Sequence, residues 1–158
     1  MKKLFYFIMV AVFVAGCKSN PATKLDMKSE VMLKGDWRIS SVTYPGSEYF
    51  KVTSFNVADA QCFVNSQWKF VSNNNKGEMA LANSNCISYG SQITWFINKE
   101  GNIVMKFLSD GVKAKHTTSG YVLKVANQTE NSFQLIDKVT VGGNTSNIVY
   151  QFERINLK

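Results

Sequence analysis

The sequence predicts an all-β protein, an antiparallel up-and-down β-barrel of about eight strands. Three observations carry this prediction. From Asp36 to the C-terminus apolar residues alternate with period two, as in strands with one buried face. The alternating runs are separated by short polar segments such as Asn73-Asn74-Asn75-Lys76-Gly77 and Gly142-Gly143-Asn144, which join neighbours as antiparallel pairs. Little helix-forming sequence is left to cover so large a sheet, so its apolar face must close on itself or pack on a second sheet. Closure also removes the sheet edges and is the favoured solution; a β-sandwich is the other architecture the pattern permits.

Each element follows from its own residues. Trp37, Ile39, Ser41 and Thr43 share one face of the first strand; Arg38, Ser40, Val42 and Tyr44 share the other. Tyr49 to Val57 is a further, weaker strand candidate, and Ala58 to Phe63 reads as a short helical turn. Gln67 to Val71 alternates, the Asn-rich segment turns the chain, and Glu78 to Ala82 returns. Ile93, Trp95 and Ile97 lead into a hairpin loop at 98–102, and Ile103, Met105 and Phe107 come back on the same face. Tyr121, Leu123 and Val125 form the next strand, and Phe133 and Leu135 run on toward Val139. In the last strand Ile148, Tyr150, Phe152 and Arg154 share a face.

The first seventeen residues differ in kind. Fourteen of them are apolar. Lys2 and Lys3 precede an unbroken apolar run from Leu4 to Val14, the length of a signal-peptide core and short for a membrane-spanning helix. The run ends in Val14-Ala15-Gly16-Cys17, which resembles the lipobox of bacterial lipoproteins. That resemblance implies a signal peptide at 1–16, cleaved before a Cys17 that is acylated on its thiol. Two or three acyl chains hold a protein stably on a bilayer, at about 0.8 kcal/mol per buried CH₂. Residues 17–31 then form a lipid-anchored flexible tether, polar and containing Pro21, with a helical turn near Ser29 to Leu33. The barrel domain occupies 32–158. Lys18, rather than Asp, follows Cys17. By resemblance to lipoprotein sorting, this permits outer-membrane delivery, and because no run of acidic residues follows Cys17 the periplasmic face is favoured.

The compartment explains the odd number of cysteines. With Cys17 assigned to the anchor, Cys62 and Cys86 read as one disulfide, closing a loop of about 25 residues worth about 3.5 kcal/mol. Two free buried thiols are the alternative. A metal site is not expected, because two cysteines and the lone His116 do not supply four ligands at usual spacing.

Leu33-Lys34-Gly35-Asp36-Trp37 resembles the Gly-x-Trp signature that opens lipocalin barrels, in which an Arg near the end of the last strand covers the Trp. Arg154 matches that Arg in position and parity. The resemblance extends to bacterial lipocalin-like lipoproteins, through Ala58 to Phe63, Ser66-Gln67-Trp68, Asn73 to Gly77, Cys86, Thr118 to Tyr121 and Val149 to Phe152. The motif between the sixth and seventh lipocalin strands is not clear, Gly120-Tyr121 being a degenerate echo of it, and the long C-terminal helix of many lipocalins is missing. The resemblance implies capture of a small hydrophobic molecule in the barrel, with Gly35, Trp37 and Arg154 as a structural lock at the closed end. Trp68, Phe70, Trp95, Met105, Phe107, Tyr121, Phe133, Tyr150 and Phe152 are the candidate lining, with Ser41 and Thr43 adding polar contacts. The competing reading is a filled barrel, serving as a non-catalytic envelope structural or protein-interaction module. Rings at strand spacing serve as core as readily as they line a pocket.

Other classes find little support. There is no Gly-x-Ser-x-Gly elbow, no carboxylate beside His116 in sequence and no cofactor motif, so an enzyme is not expected. The formal net charge is +7, but the chain has only two Arg and scattered Lys. That pattern suits attraction to an anionic lipid surface rather than nucleic acid. The expected partners are therefore the lipid bilayer and a small hydrophobic ligand.

Overall fold

A computed structural model describes residues 27–46, 51–108 and 120–155. Its core is a closed antiparallel barrel of eight strands: β1 (Gly35–Thr43), β4 (Gln67–Val71), β5 (Lys76–Ala80), β6 (Gly90–Ile97), β7 (Asn102–Leu108), β8 (Tyr121–Ala126), β9 (Ser132–Val141) and β10 (Asn144–Arg154). Each strand pairs with the next, and β10 pairs back with β1. The turns use the expected chemistry. Asn98 Oδ1 accepts from the amides of Glu100 and Asn102, and Gly142 and Gly143 both take positive φ in the two-residue β9–β10 turn.

The signal peptide and Cys17 lie outside the described residues, as do His116 and most of the proposed tether. At the tether's end a helix, α1 (Met27–Leu33), is longer than the single turn expected. It packs against the end of β6, where buried Glu30 accepts the amide of Ile97 at 3.0 Å. Glu30, expected in the tether, therefore packs against the barrel. No helix among the described residues is long and apolar enough to cross a membrane.

Two sequence expectations need correction. The first concerns β1. Its register shifts between Ile39 and Ser41, so that Ile39 faces Phe152 while Ser41 faces Gln151. The extra residue is a β-bulge, and it inverts the alternation beyond it. Trp37 and Ile39 point inward, but Val42 and Tyr44 then take over as the buried residues, while Thr43 is exposed and Ser41 half-buried. Ser41 and Thr43 therefore do not contribute to the inner lining. The second concerns Tyr49 to Val57. Its described part gives only β2 (Thr53–Ser54), which pairs with β3 (Ala58–Asp59) in a minimal hairpin outside the barrel sheet. The helical turn expected at Ala58 to Phe63 is a 3-10 turn at Ala60–Phe63, capped by Asp59 accepting the amide of Gln61.

Candidate functional site

The strand directions give the barrel two unlike ends. Gly35, the 72–75, 98–101 and 127–131 turns and α1 lie at one end, here the base. The β1–β4 connection, the β5–β6 loop and the Gly142-Gly143 turn lie at the other, the mouth.

The base is locked by Trp37, Gly35 and Arg154. Trp37 is fully buried, its Nε1 donating to the Leu33 carbonyl at 2.8 Å and its ring meeting Phe133 edge-on at 4.7 Å. The Arg154 guanidinium lies 4.2 Å from the Trp37 ring centroid. It also donates to the carbonyls of Glu130, Lys34 and Met32 at 2.6, 3.0 and 3.3 Å. A helix leaves its last carbonyls without internal partners. Here the Trp37 indole and the Arg154 guanidinium supply donors to those of Leu33 and Met32. Gly35 has φ +131°, and a Cβ there would overlap Arg154 Nη1, which is why glycine stands two residues before the tryptophan.

Above the lock the interior is filled by rings from the strands. Phe133 and Phe152 stack at 4.5 Å, Phe70 meets Trp95 at 5.2 Å, and Trp68 meets Phe152 at 5.6 Å. Met105 is completely buried beside them in the same core. Of the nine candidate lining residues, Phe70, Trp95, Phe133 and Phe152 thus pack the lower half against one another. They leave Trp68, Phe107, Tyr121 and Tyr150 facing the space nearer the mouth.

That space is occupied by a residue the sequence did not mark. Phe55, at the tip of the β2–β3 hairpin, is 5 % exposed and reaches among Phe63, Phe107, Tyr121, Tyr150 and Trp68, with centroids at 5.1, 5.2, 5.2, 5.5 and 6.2 Å. Phe55 and Asn56 both have φ +54°, and the Val57 amide donates to the Ser54 carbonyl across the turn. Asparagine tolerates this left-handed conformation; a phenylalanine held there costs about 1–3 kcal/mol. The only sequence signal was the Asn that follows Phe55, a turn residue inside an otherwise strand-like run.

The mouth also collects polar groups. Ser54 Oγ and the Tyr150 hydroxyl are 2.5 Å apart and both buried, and the Gln61 side chain donates to the Tyr44 hydroxyl and the Val42 carbonyl. Burial raises the Tyr150 phenol well above its ordinary pKa, outweighing the Ser54 hydrogen bond. Asp137 sits opposite inward-facing Ile148, and burial raises its carboxyl above the usual range. Burial likewise raises the Tyr121 phenol, against a side-chain hydrogen bond from Asn56. Asp59 Oδ2 is buried without a hydrogen-bond partner among the described residues. The Cys62–Cys86 disulfide, with Cα atoms 5.8 Å apart, joins the β1–β4 connection to the β5–β6 loop across this end.

No group of three or more metal-ligating side chains occurs among the described residues. A cleft of about 380 Å³ opens on the outer wall between Asp36, Gln67, Lys69, Glu78 and Gln92. Its rim is charged and solvated, unlike the interior.

Solved structures of bovine odorant-binding protein are similar to this chain at low identity. One, in complex with a selenium-containing odorant, is 10% identical, covering 82% of this chain and 74% of that one with a TM-score of 0.46. Another, in complex with its natural ligand, is 13% identical, covering 80% and 74% with a TM-score of 0.45. A third, in complex with undecanal, is 13% identical, covering 80% and 73% with a TM-score of 0.43. No curated protein matches the chain significantly. The sequence model of the lipocalin-like domain family matches residues 33–135, from the lock through Leu135. The chain belongs to the lipocalin-like domain family.

Proposed function

We propose that this protein is a membrane-anchored, non-catalytic lipoprotein that holds one small hydrophobic ligand in the mouth half of its barrel. Family membership supports ligand capture. The observation that carries the reading is how the apolar upper interior is covered. Among the described residues it is closed by the ring of a loop residue, Phe55, on a hairpin with only two residue pairs. A cover of that kind separates from the wall without breaking the barrel ladder. The anchor rests on the lipobox resemblance at Val14 to Cys17; Lys18 is compatible with outer-membrane delivery, and the lack of an acidic run after Cys17 favours the periplasmic face.

One observation favours the filled-barrel reading, in which the outside of the wall does the work. Phe96, Val104 and Val122 form a row on the outer face of β6–β8, with Val122 56% exposed. Extraction of the purified native protein followed by mass spectrometry separates the two. Ligand capture is expected to yield a small apolar molecule at close to one per chain, and Trp68 emission should shift when the stripped protein is titrated with apolar compounds. An empty extract together with unchanged emission would leave the interaction module. For the anchor, Cys17→Ala is expected to abolish incorporation of labelled palmitate; persistent labelling would refute it.

A further inference from the structure

We propose that the Ser54–Phe55 pair is a built-in surrogate ligand, and that its imprint identifies the ligand as a small planar aromatic carrying a hydroxyl or carbonyl group. The inference rests on the ligand-capture reading and narrows it to a chemical class.

The first part of the imprint is the ring slot. Phe55 is met edge-on by Phe63, Tyr121 and Trp68, at interplanar angles of 69°, 89° and 62°. Phe107 and Tyr150 lie nearer parallel to it, at 32° and 35°. Such a socket presents ring edges and ring faces at fixed angles, which a planar π-system matches and a flexible alkyl chain does not. The second part is polar. One residue back, the Ser54 hydroxyl meets the buried Tyr150 hydroxyl at 2.5 Å. When the hairpin leaves, that phenol loses the Ser54 hydroxyl, and a hydroxyl left buried without a partner is costly. The incoming molecule must therefore bring its own hydrogen-bonding group, placed within a few bonds of its ring.

The hairpin is fit to leave. Its tip holds a bulky residue at positive φ, so release relieves backbone strain as ring contacts are lost. The chain beyond it stays attached through the Cys62–Cys86 disulfide, and through Asn65, whose amide donates to the Ile39 carbonyl at 2.8 Å. The tip therefore moves while its root stays fixed to the rim.

The test uses 4-methylphenol, toluene and decanoate, titrated by calorimetry into the disulfide-intact wild-type protein and into a Ser54→Ala, Phe55→Gly variant. Glycine removes the ring and suits the positive φ, so the turn is expected to be retained. The variant should bind 4-methylphenol at least tenfold more tightly than the wild type does, and at least tenfold more tightly than it binds toluene or decanoate. Adding Tyr150→Phe should erase the preference over toluene. Equal affinity of wild type and variant for 4-methylphenol would overturn the surrogate, and tight decanoate binding by the wild type would then leave ligand capture standing. Failure of both proteins to bind any probe would overturn both. Should the variant not fold, the wild type still decides. Saturating 4-methylphenol is expected to speed amide exchange at Val57 and Ala60, because the hairpin is expelled; unchanged or slower exchange there would refute the displacement.

Discussion

The base and the mouth of this barrel are both packed with aromatic rings, yet they are held in different ways. At the base every ring is carried by a ladder strand. The polar groups of Trp37 and Arg154 are spent on the C-terminal carbonyls of α1 and on the turns. At the mouth the central ring belongs to a loop and sits on strained backbone, beside a Ser54–Tyr150 hydroxyl pair and near Asp59, whose Oδ2 has no hydrogen-bond partner among the described residues. Filling alone therefore does not distinguish a structural core from a binding site. What distinguishes them is whether the filling group can leave without breaking the sheet.

This contrast can be broken from either side. The largest effect is expected at the base. Trp37→Ala removes a fully buried ring, its hydrogen bond to Leu33 and the seat of Arg154, and should cost about 3–5 kcal/mol in urea unfolding. A loss below 1 kcal/mol would mean that the lock is ornamental. Next is removal of the disulfide by Cys62→Ser with Cys86→Ser, expected to cost about 3.5 kcal/mol. Its local effect should be confined to the mouth, with faster amide exchange around Ala60 and none near Arg154; loosening at the base first would invert the assignment. Gly35→Ala, which drives a methyl into Arg154 and strains the backbone, should cost about 1–3 kcal/mol. Arg154→Ala should then mask part of that cost, a coupling read from a double-mutant cycle.

The smallest effect is that of Asp137→Asn. Burial raises the Asp137 pKa, so the native state binds its proton more tightly than the unfolded chain does. The group then favours folding fully below its unfolded pKa of about 3.9, and this contribution is lost as pH rises through the native value. The Asn variant should accordingly be more stable than wild type at neutral pH and lose that advantage in acid. An advantage that grew on acidification would contradict the burial argument.

Much of the barrel was legible in the sequence because its signals are local. Period-two alternation placed Trp95, Met105, Phe107 and Phe133 on the inner face, and the parity of the last strand put Arg154 beneath Tyr150 and Phe152. Gly35-Asp36-Trp37 marked the base, and the cysteine count pointed to the disulfide. The bulge at Ser40–Ser41 was not legible. A single added residue leaves the composition of a strand unchanged while exchanging its two faces, so Ser41 and Thr43 were placed inside in error. Phe55 escaped for a different reason. Its role depends on partners from four barrel strands and a 3-10 turn, and on the Ser54–Tyr150 contact across 96 residues of sequence.

The most direct test of the contrast between the ends is native-state amide exchange on the ligand-free wild type. The amides of Ile97, Arg154 and Ile155, bonded to Glu30, Asn131 and Asp36 at the base, should exchange only through global unfolding. Those of Val57 and Ala60, bonded to Ser54 and Val52 in the hairpin, should exchange through a local opening at least a hundredfold more often. Equal protection at the two ends would contradict the claim that the mouth is plugged by a part that can leave.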